Sequence, residues 1–360
     1  MIERKQTRGI MVGDVPVGGG APVSVQSMTN TETSDAQATL TQIWELECAG
    51  CQIIRVSVPD AGAVEALPRI LAGTRLPVIA DLHFDWRLAF LVMEQGVAGI
   101  RLNPGTIAKK ERVVEIAREA AARGIAVRVG VNSGSLERRL VEPGNRAEAA
   151  ALAQSALDGA ELISSKGVTN LKISVKASDV TRTIEAYRLV SKQSDLPLHL
   201  GITEAGTLWS GTIKSAVGIG ALLAEGIGDT IRVSLTAPPV EEVRVGRKIL
   251  ASLGLAEAGP DVISCPTCAR TEFDVIGLAT RIEKALEGYR TPITVAVMGC
   301  AVNGPGEARE ADIGVAGGSE SALLFVRGEM VGRVSQDDIF DELVGEVKKL
   351  MESRGEGEGA

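Results

Sequence analysis

Histidine is nearly absent from this 360-residue chain: His83 and His199 are the whole complement, and neither lies in the C-terminal third. That excludes imidazole-based metal sites and Cys–His pairs from the region that carries most of the cysteines. No apolar run approaches the roughly 20 residues that span a bilayer, and the N-terminal Met-Ile-Glu-Arg-Lys-Gln-Thr lacks the apolar stretch of an export signal. There is no excess of positive charge. The 38 Lys and Arg against 46 Asp and Glu give a net charge of −8, which argues against general binding to nucleic acid or anionic membranes. The glycine fingerprint of a dinucleotide fold is missing, because Gly218-Ile-Gly220 has no third glycine at the required spacing. No flavin or nicotinamide motif is visible, nor the C-x3-C-x2-C run of S-adenosylmethionine radical chemistry. Cysteines number five, an odd and clustered set, so a reducing compartment is expected rather than a disulfide framework, and the cytoplasm is the expected location.

What is present is a regular alternation. Short β-rich runs at Val23–Met28, Ile53–Val58, Val78–Leu82, Gly99–Asn103, Ala126–Asn132, Asn170–Lys176, Leu198–Thr203 and Thr230–Thr236 are separated by amphipathic stretches. Ile107–Arg123 is one of these, with Val113, Ile116, Ala117 and Ala120 on one face. Pro238-Pro239 opens the last, which runs to about Leu253. Eight strand–helix pairs in roughly 250 residues predict an α/β fold of (β/α)8 TIM-barrel type. Residues 1–253 form this substrate-binding domain, led by a small hairpin (Ile10–Val12 and Val15–Val17) that plugs one end. Gly254–Pro260 reads as a linker into a smaller α/β domain over residues 254–354. There a Cys265 turn, a helix near Thr271–Glu287, a strand at Ile293–Val297 and a Cys300–Glu307 loop precede a strand at Asp312–Ala316. A hairpin through Leu323–Val334 and a helix over Asp337–Met351 complete it, and the tail over 355–360 is expected to be disordered.

Strand side chains alternate with a period of two. Read that way, Arg55 and Ser57, Arg101 and Asn103, Arg128 and Asn132, Lys172 and Ser174, and Arg232 and Ser234 point into the barrel. The intervening Ile54, Val56, Leu102, Val129, Ile173 and Val233 point out. Lys176 lies further along its strand and is left out of the ring. Unpaired buried charge costs several kcal/mol per ion, so five converging cations need a counter-anion. Asp81 and His83, and Glu204 in Gly201-Ile-Thr-Glu-Ala-Gly206, are too few to supply it. The expected partner is a polyanion such as a diphosphate, bound at the C-terminal mouth where barrel enzymes work. Glu204 is the candidate acid–base group. His199 is read as a satisfied interior residue, and Cys48 and Cys51, at the bottom of the barrel, as small hydrophobes.

The remaining cysteines form a C-x2-C…C pattern: Cys265-Pro-Thr-Cys268, then Cys300 in Met-Gly-Cys-Ala-Val-Asn-Gly-Pro-Gly-Glu. Three thiolates without imidazole suit an iron–sulfur cluster. A structural zinc site is the alternative, and would have to recruit a carboxylate. A cluster needs a fourth anchor or leaves one iron open to substrate; Glu307 is the nearest acid.

These residues carry a resemblance. Ser264-Cys-Pro-Thr-Cys-Ala-Arg270, Met298–Glu307 and Ala311-Asp-Ile-Gly-Val-Ala-Gly-Gly318 are closely similar to the 4-hydroxy-3-methylbut-2-enyl diphosphate synthase family. So are Val25-Gln-Ser-Met-Thr29, Asp81-Leu-His83, Arg101-Leu-Asn-Pro-Gly105, Gly130-Val-Asn-Ser-Gly134 and Gly201–Gly206, so that the match spans nearly the whole chain. The resemblance implies reductive ring opening of 2-C-methyl-D-erythritol 2,4-cyclodiphosphate with loss of water, in non-mevalonate isoprenoid biosynthesis. It implies a [4Fe-4S] cluster on Cys265, Cys268, Cys300 and Glu307, with Glu307 also catalytic beside Glu204. Substrate contacts would fall to Arg55, Asp81, His83, Arg101, Asn103, Arg128, Asn132, Lys172, Ser174, Thr203, Arg232 and Ser234. Flavodoxin or ferredoxin would donate electrons, and the cluster domain of one protomer would cap the barrel of the other in a head-to-tail homodimer. The competing reading is a non-redox barrel transferase or lyase for phosphorylated substrates, with a zinc-stapled accessory domain.

Overall fold

The structure, a computed structural model, describes residues 2–82, 85–103, 110–136, 148–256, 259–289, 291–318 and 320–353. His83, assigned above to substrate binding, lies outside the described residues, as does the 355–360 tail. The chain divides into two compact units, Met1–Ala256 and Glu257–Ala360.

In the first unit a hairpin of β1 (Ile10–Val12) and β2 (Val15–Val17) precedes eight parallel strands. These are β3 (Ser24–Met28), β4 (Ile53–Ser57), β5 (Val78–Asp81), β6 (Gly99–Leu102), β7 (Ala126–Asn132), β8 (Leu171–Lys176), β9 (His199–Leu200) and β10 (Thr230–Ile231). The helices that follow them in turn are α1 (Ala36–Cys48), α2 (Ala61–Gly73), α3 (Leu88–Glu94), α4 (Lys110–Arg123), α5 (Ala149–Ser164), α6 (Val180–Gln193), α7 (Leu208–Ala224) and α8 (Pro239–Ser252). Aspartates start several of them: Asp35, Asp60 and Asp179 accept from the free first-turn N–H groups of α1, α2 and α6. Pro239 sits in the first turn of α8, where its missing N–H leaves nothing unsatisfied. The strands run in the order β8-β7-β6-β5-β4-β3-β10-β9, and a bridge from Ile173 to Leu198 closes the ring into a barrel.

The period-two reading holds. Ile54, Val56, Leu102, Val129, Ile173 and Val233 pack outward in one core with helix residues such as Ile116, Ala120, Leu152 and Ile219. Inside, Ile53, Ile79 and Ala126 at the starts of β4, β5 and β7 pack with Ile10, Val12 and Val17. The hairpin therefore seals the N-terminal end of the barrel with apolar side chains.

β9 and β10 are shorter than the sequence suggests. Beyond Leu200 and Ile231 isolated links continue the ladder, Thr203 N–H to Ala177 O, Arg232 N–H to Leu200 O and Thr236 N–H to Gly206 O, and the backbone turns left-handed at Glu204 (φ 52°).

The second unit is a five-stranded sheet of β11 (Asp261–Ser264), β12 (Thr294–Met298), β13 (Ile313–Ala316), β14 (Ser321–Val326) and β15 (Glu329–Ser335), in that spatial order. The first three are parallel and the last two antiparallel. Helices α9 (Val275–Ala285) and α11 (Ile339–Ser353) share a core with Val295, Val297, Ile313 and Val315, while α10 (Gly304–Glu310) places Ala308 against Ala296, Met298 and Ala316 on the opposite face. Two differences from expectation matter here. The Cys300–Glu307 segment is not all loop: Gly304-Pro305 begins α10, proline being at home in a first helical turn, and Glu307 rides on that turn. The helix expected from Thr271 starts instead at Val275 under an Asp274 cap, because Thr271 is engaged with Cys268. No helix among the described residues is long and apolar enough to cross a membrane.

Candidate active site

One register row crosses five adjacent strands of the barrel. Ser57 on β4, Asp81 on β5, Arg101 on β6, Arg128 on β7 and Lys172 on β8 are successive partners. All five occupy inward positions of the alternation. Arg55, one step earlier on β4, joins them: its Nε lies 3.5 Å from Asp81 Oδ2, while Arg101 Nη1 lies 3.4 Å from Asp81 Oδ1. Asp81 is therefore a bridge between two guanidinium groups. Gly130 makes room for this crossing, since a Cβ there would stand 3.1 Å from Arg101 Nε and 3.2 Å from Ser174 Oγ.

The electrostatics are unbalanced. Arg55, Arg101, Arg128, Lys172 and Lys176 are all buried, Lys172 to 1% exposure, and Arg232 is partly so. Among the described residues the buried carboxylates in ion contact with them are Asp81 and Glu242, the latter 3.5 Å from Arg232 Nη2. Nζ of Lys172 and Nε of Arg101, Arg128 and Arg232 have no hydrogen-bond partner among the described residues. Burial and the surrounding cations act together on the titrating groups. Loss of solvation, then the repulsion of Arg128 and Arg55, pushes the Lys172 amine down to about 7. Lys176 is driven well below the lysine range by burial and then by Arg128, and His199 well below the histidine range by burial and then by Lys176. Arg55 comes down to about 10, burial outweighing the help of Asp81.

At the C-terminal ends of the strands lie the neutral and acidic candidates. Asn103 and Ser174 are buried, while Asn132, Thr203 and Ser234 are half-buried. Glu204 is exposed and left-handed, a conformation that costs a non-glycine residue on the order of 1–3 kcal/mol and gathers at functional sites.

Two expectations need correction, and one residue was missed. Lys176 is not too far out: its Nζ lies over Gly201, 2.5 Å from where a Cβ would be, so it folds back inside the barrel where only glycine leaves space. Its period-two relation to Lys172 was the available signal. His199 is interior but not satisfied, for both ring nitrogens lack hydrogen-bond partners among the described residues. Glu242 went unrecognised because it stands on α8, yet its Oε1 accepts from Leu235 N at 2.9 Å and its other oxygen faces Arg232. Cys51 is an inert core thiol, pushed up to about 12 by burial.

In the second unit, Cys265 follows β11 and Cys300 follows its parallel neighbour β12, so both emerge at the same edge of the sheet. Cys268 is exposed and Cys300 buried, and all three thiols are free. The surroundings of Cys268 and Cys300 favour thiolate. Gly299 N–H donates to Cys265 Sγ at 3.2 Å. Cys268 is lowered by the Arg270 backbone N–H, and Cys300 by those of Asn303 and Val302, with Arg270 adding charge to both. Glu307 is exposed on α10. Among the described residues no three His, Cys, Asp or Glu side chains converge as a metal-holding group. The donor chemistry nonetheless fits an iron–sulfur cluster: soft thiols, N–H groups directed at sulfur, and no imidazole.

Comparison with known proteins gives a consistent result. The GcpE TIM-barrel domain matches residues 7–247, and the GcpE protein C-terminal domain matches residues 261–349. The 4-hydroxy-3-methylbut-2-en-1-yl diphosphate synthase (flavodoxin) of Geobacter sulfurreducens is 54% identical over 348 residues, covering 97% of this chain and 99% of the relative. That of Clostridium acetobutylicum is 51% identical, covering 97% of this chain and 100% of the relative. Among solved structures, the dihydropteroate synthase of Yersinia pestis aligns with a TM-score of 0.51 at 10% identity, over 68% of this chain and 99% of its own. The type I 3-dehydroquinate dehydratase of Clostridium difficile also scores 0.51, at 12% identity, over 69% of this chain and 98% of its own. Those two likenesses concern the barrel fold alone.

Proposed function

The chain belongs to the GcpE family, and from that membership we propose how its residues serve the family's reaction. The enzyme is an oxidoreductase, a 4-hydroxy-3-methylbut-2-en-1-yl diphosphate synthase. It opens the ring of 2-C-methyl-D-erythritol 2,4-cyclodiphosphate with two electrons and expels water, in isoprenoid biosynthesis.

The observation that carries the residue assignment is the excess of buried cations over buried carboxylates in the barrel. A cyclic diphosphate supplies the missing negative charge, and its oxygens give Lys172 Nζ, Arg101 Nε and Arg128 Nε the acceptors they lack. Lys176 and Arg232 complete the grip, with Ser174, Ser234, Asn103 and Asn132 adding neutral hydrogen bonds. A diphosphate held on this rigid row leaves the carbon end of the substrate at the mouth, near Glu204 and Thr203, so orientation supplies part of the rate. Expelling hydroxide from carbon requires a proton, and Glu204 is assigned as its donor. Cys265, Cys268, Cys300 and Glu307 would hold a [4Fe-4S] cluster, which supplies the electrons when bound. We assign flavodoxin as the donor to that cluster, in keeping with the relatives' names. The working assembly is a homodimer in which the cluster domain of one copy meets the barrel of the other, in a reducing cytoplasm.

The test is anaerobic reconstitution followed by assay with the cyclodiphosphate and a chemical reductant. A brown protein containing iron and sulfide that consumes the cyclodiphosphate is expected, with Cys268→Ser losing most of its iron. Stoichiometric zinc in a colourless protein, or no turnover by a fully loaded one, overturns the assignment.

A further inference from the structure

Resting on the diphosphate reading above, we propose that the barrel takes up a proton from solvent together with its diphosphate, and that the amine of Lys172 is where the proton lands.

Six cations share this interior. The four arginines keep their protons, so among the described residues Lys172, Lys176 and His199 are the groups that can relieve the repulsion in the empty barrel by standing neutral. Lys172 is the most deeply buried of these cations, and its Nζ has no hydrogen-bond partner among the described residues. Among the described residues, Arg128 on β7, Arg55 on β4 and His199 on β9 act on it directly, and Asp81, Arg101, Lys176 and Arg232, the last with Glu242 behind it, line the same interior. Inward positions of β3 add Ser24 and Gln26 and no charge. The sum is positive, and it favours the free amine until an anion arrives. A dianion beside Nζ reverses the sign of the local field, and the amine lone pair then accepts a proton to become ammonium; no covalent bond to the ligand forms or breaks.

The interior is furnished for this. Ser24, Thr230 and His199 are register partners on the adjacent strands β3, β10 and β9. Their side-chain polar atoms, like both amide atoms of Gln26, are buried without partners. Such a lining suits a hydrated route for a proton.

The cyclodiphosphate is a clean probe, because each phosphorus carries a single ionisable oxygen, already ionised well below neutral pH, so the ligand itself gains no proton. The reconstituted full-length protein is titrated with it calorimetrically, without reductant, in buffers of different ionisation enthalpy. Near pH 8 the expected uptake approaches one proton per site, and it falls towards zero near pH 6, where Lys172 is already charged. Affinity correspondingly weakens by roughly tenfold per pH unit above 8. Lys172→Met should bind more weakly and without uptake. Lys172→Arg, charged throughout, should bind without uptake and without that pH slope. Buffer-independent heats in the unaltered protein overturn the proposal, and need neither variant to fold. Uptake unchanged in both variants also overturns it, transferring the role to Lys176 or His199. Absence of binding at every pH removes the diphosphate reading itself, and this proposal with it.

Discussion

Asp81 shows how much one side chain controls. It lies between Arg55 and Arg101 at 3.5 and 3.4 Å, and is 3% exposed. Asp81→Asn keeps the shape but leaves two guanidinium groups facing each other without a counter-charge. Breaking a buried pair in this way costs about 3–5 kcal/mol, so urea unfolding of the ligand-free variant should show a loss of that order, partly recovered with cyclodiphosphate present. Equal destabilisation with and without ligand would mean that the anion does not enter the same field. Gly201 is the complementary case. A methyl group there meets Lys176 Nζ and Arg232 O at 2.5 Å each, so Gly201→Ala should destabilise by about 1–3 kcal/mol through overpacking and weaken diphosphate binding by displacing Lys176. Calorimetric titration of the variant checks this, and unchanged affinity would separate Lys176 from the site.

At the scale of elements, the barrel was legible because its strands obey a two-residue rhythm in which charged, polar or glycine positions alternate with aliphatic ones over Arg128-Val129-Gly130-Val131-Asn132 and Lys172-Ile173-Ser174-Val175-Lys176. The inward set could be read from that rhythm alone. What could not be read depended on side-chain length and neighbouring strands: Lys176 turns back over a glycine of β9's extension, and Glu242 reaches Arg232 from a helix. The cysteine segment was misread as loop because Gly-Pro-Gly favours turns as readily as first helical turns, and the packing of Ala308 against Ala296 and Ala316 decides the matter. β11 was not anticipated, being a partly exposed edge strand of four residues. The start of α9 offers a test at this scale. Asp274 accepts from Gly277 N–H at 2.9 Å, so Asp274→Ala should cost about 1 kcal/mol, seen as a lower unfolding midpoint of the second unit, with the barrel's transition unmoved.

For the molecule as a whole, the buried amines make stability depend on pH in an unusual direction. A lysine lowered in the fold to about 7 binds fewer protons than the unfolded chain from about pH 7 up to the ordinary lysine range. Unfolding is therefore disfavoured as pH rises through that window, and Lys172 penalises the fold most below it. The ligand-free protein should gain thermal stability from pH 7 to 9, by up to about 1.4 kcal/mol per unit for this one group. Cyclodiphosphate should flatten the trend by restoring the charge on Lys172. Melting curves across that range, with and without ligand, decide it; a ligand-free protein that loses stability over the window contradicts a neutral amine in the barrel.

The β1–β2 hairpin has a consequence for traffic. With Ile10, Val12 and Val17 stoppering the floor, the barrel is a cul-de-sac, and whatever is made there backs out through the doorway by which its precursor came in. Both molecules carry a diphosphate, so the departing one contests the berth with the next arrival. Competitive inhibition by the enzyme's own product against the cyclodiphosphate is the outcome expected from that blind end in steady-state assays.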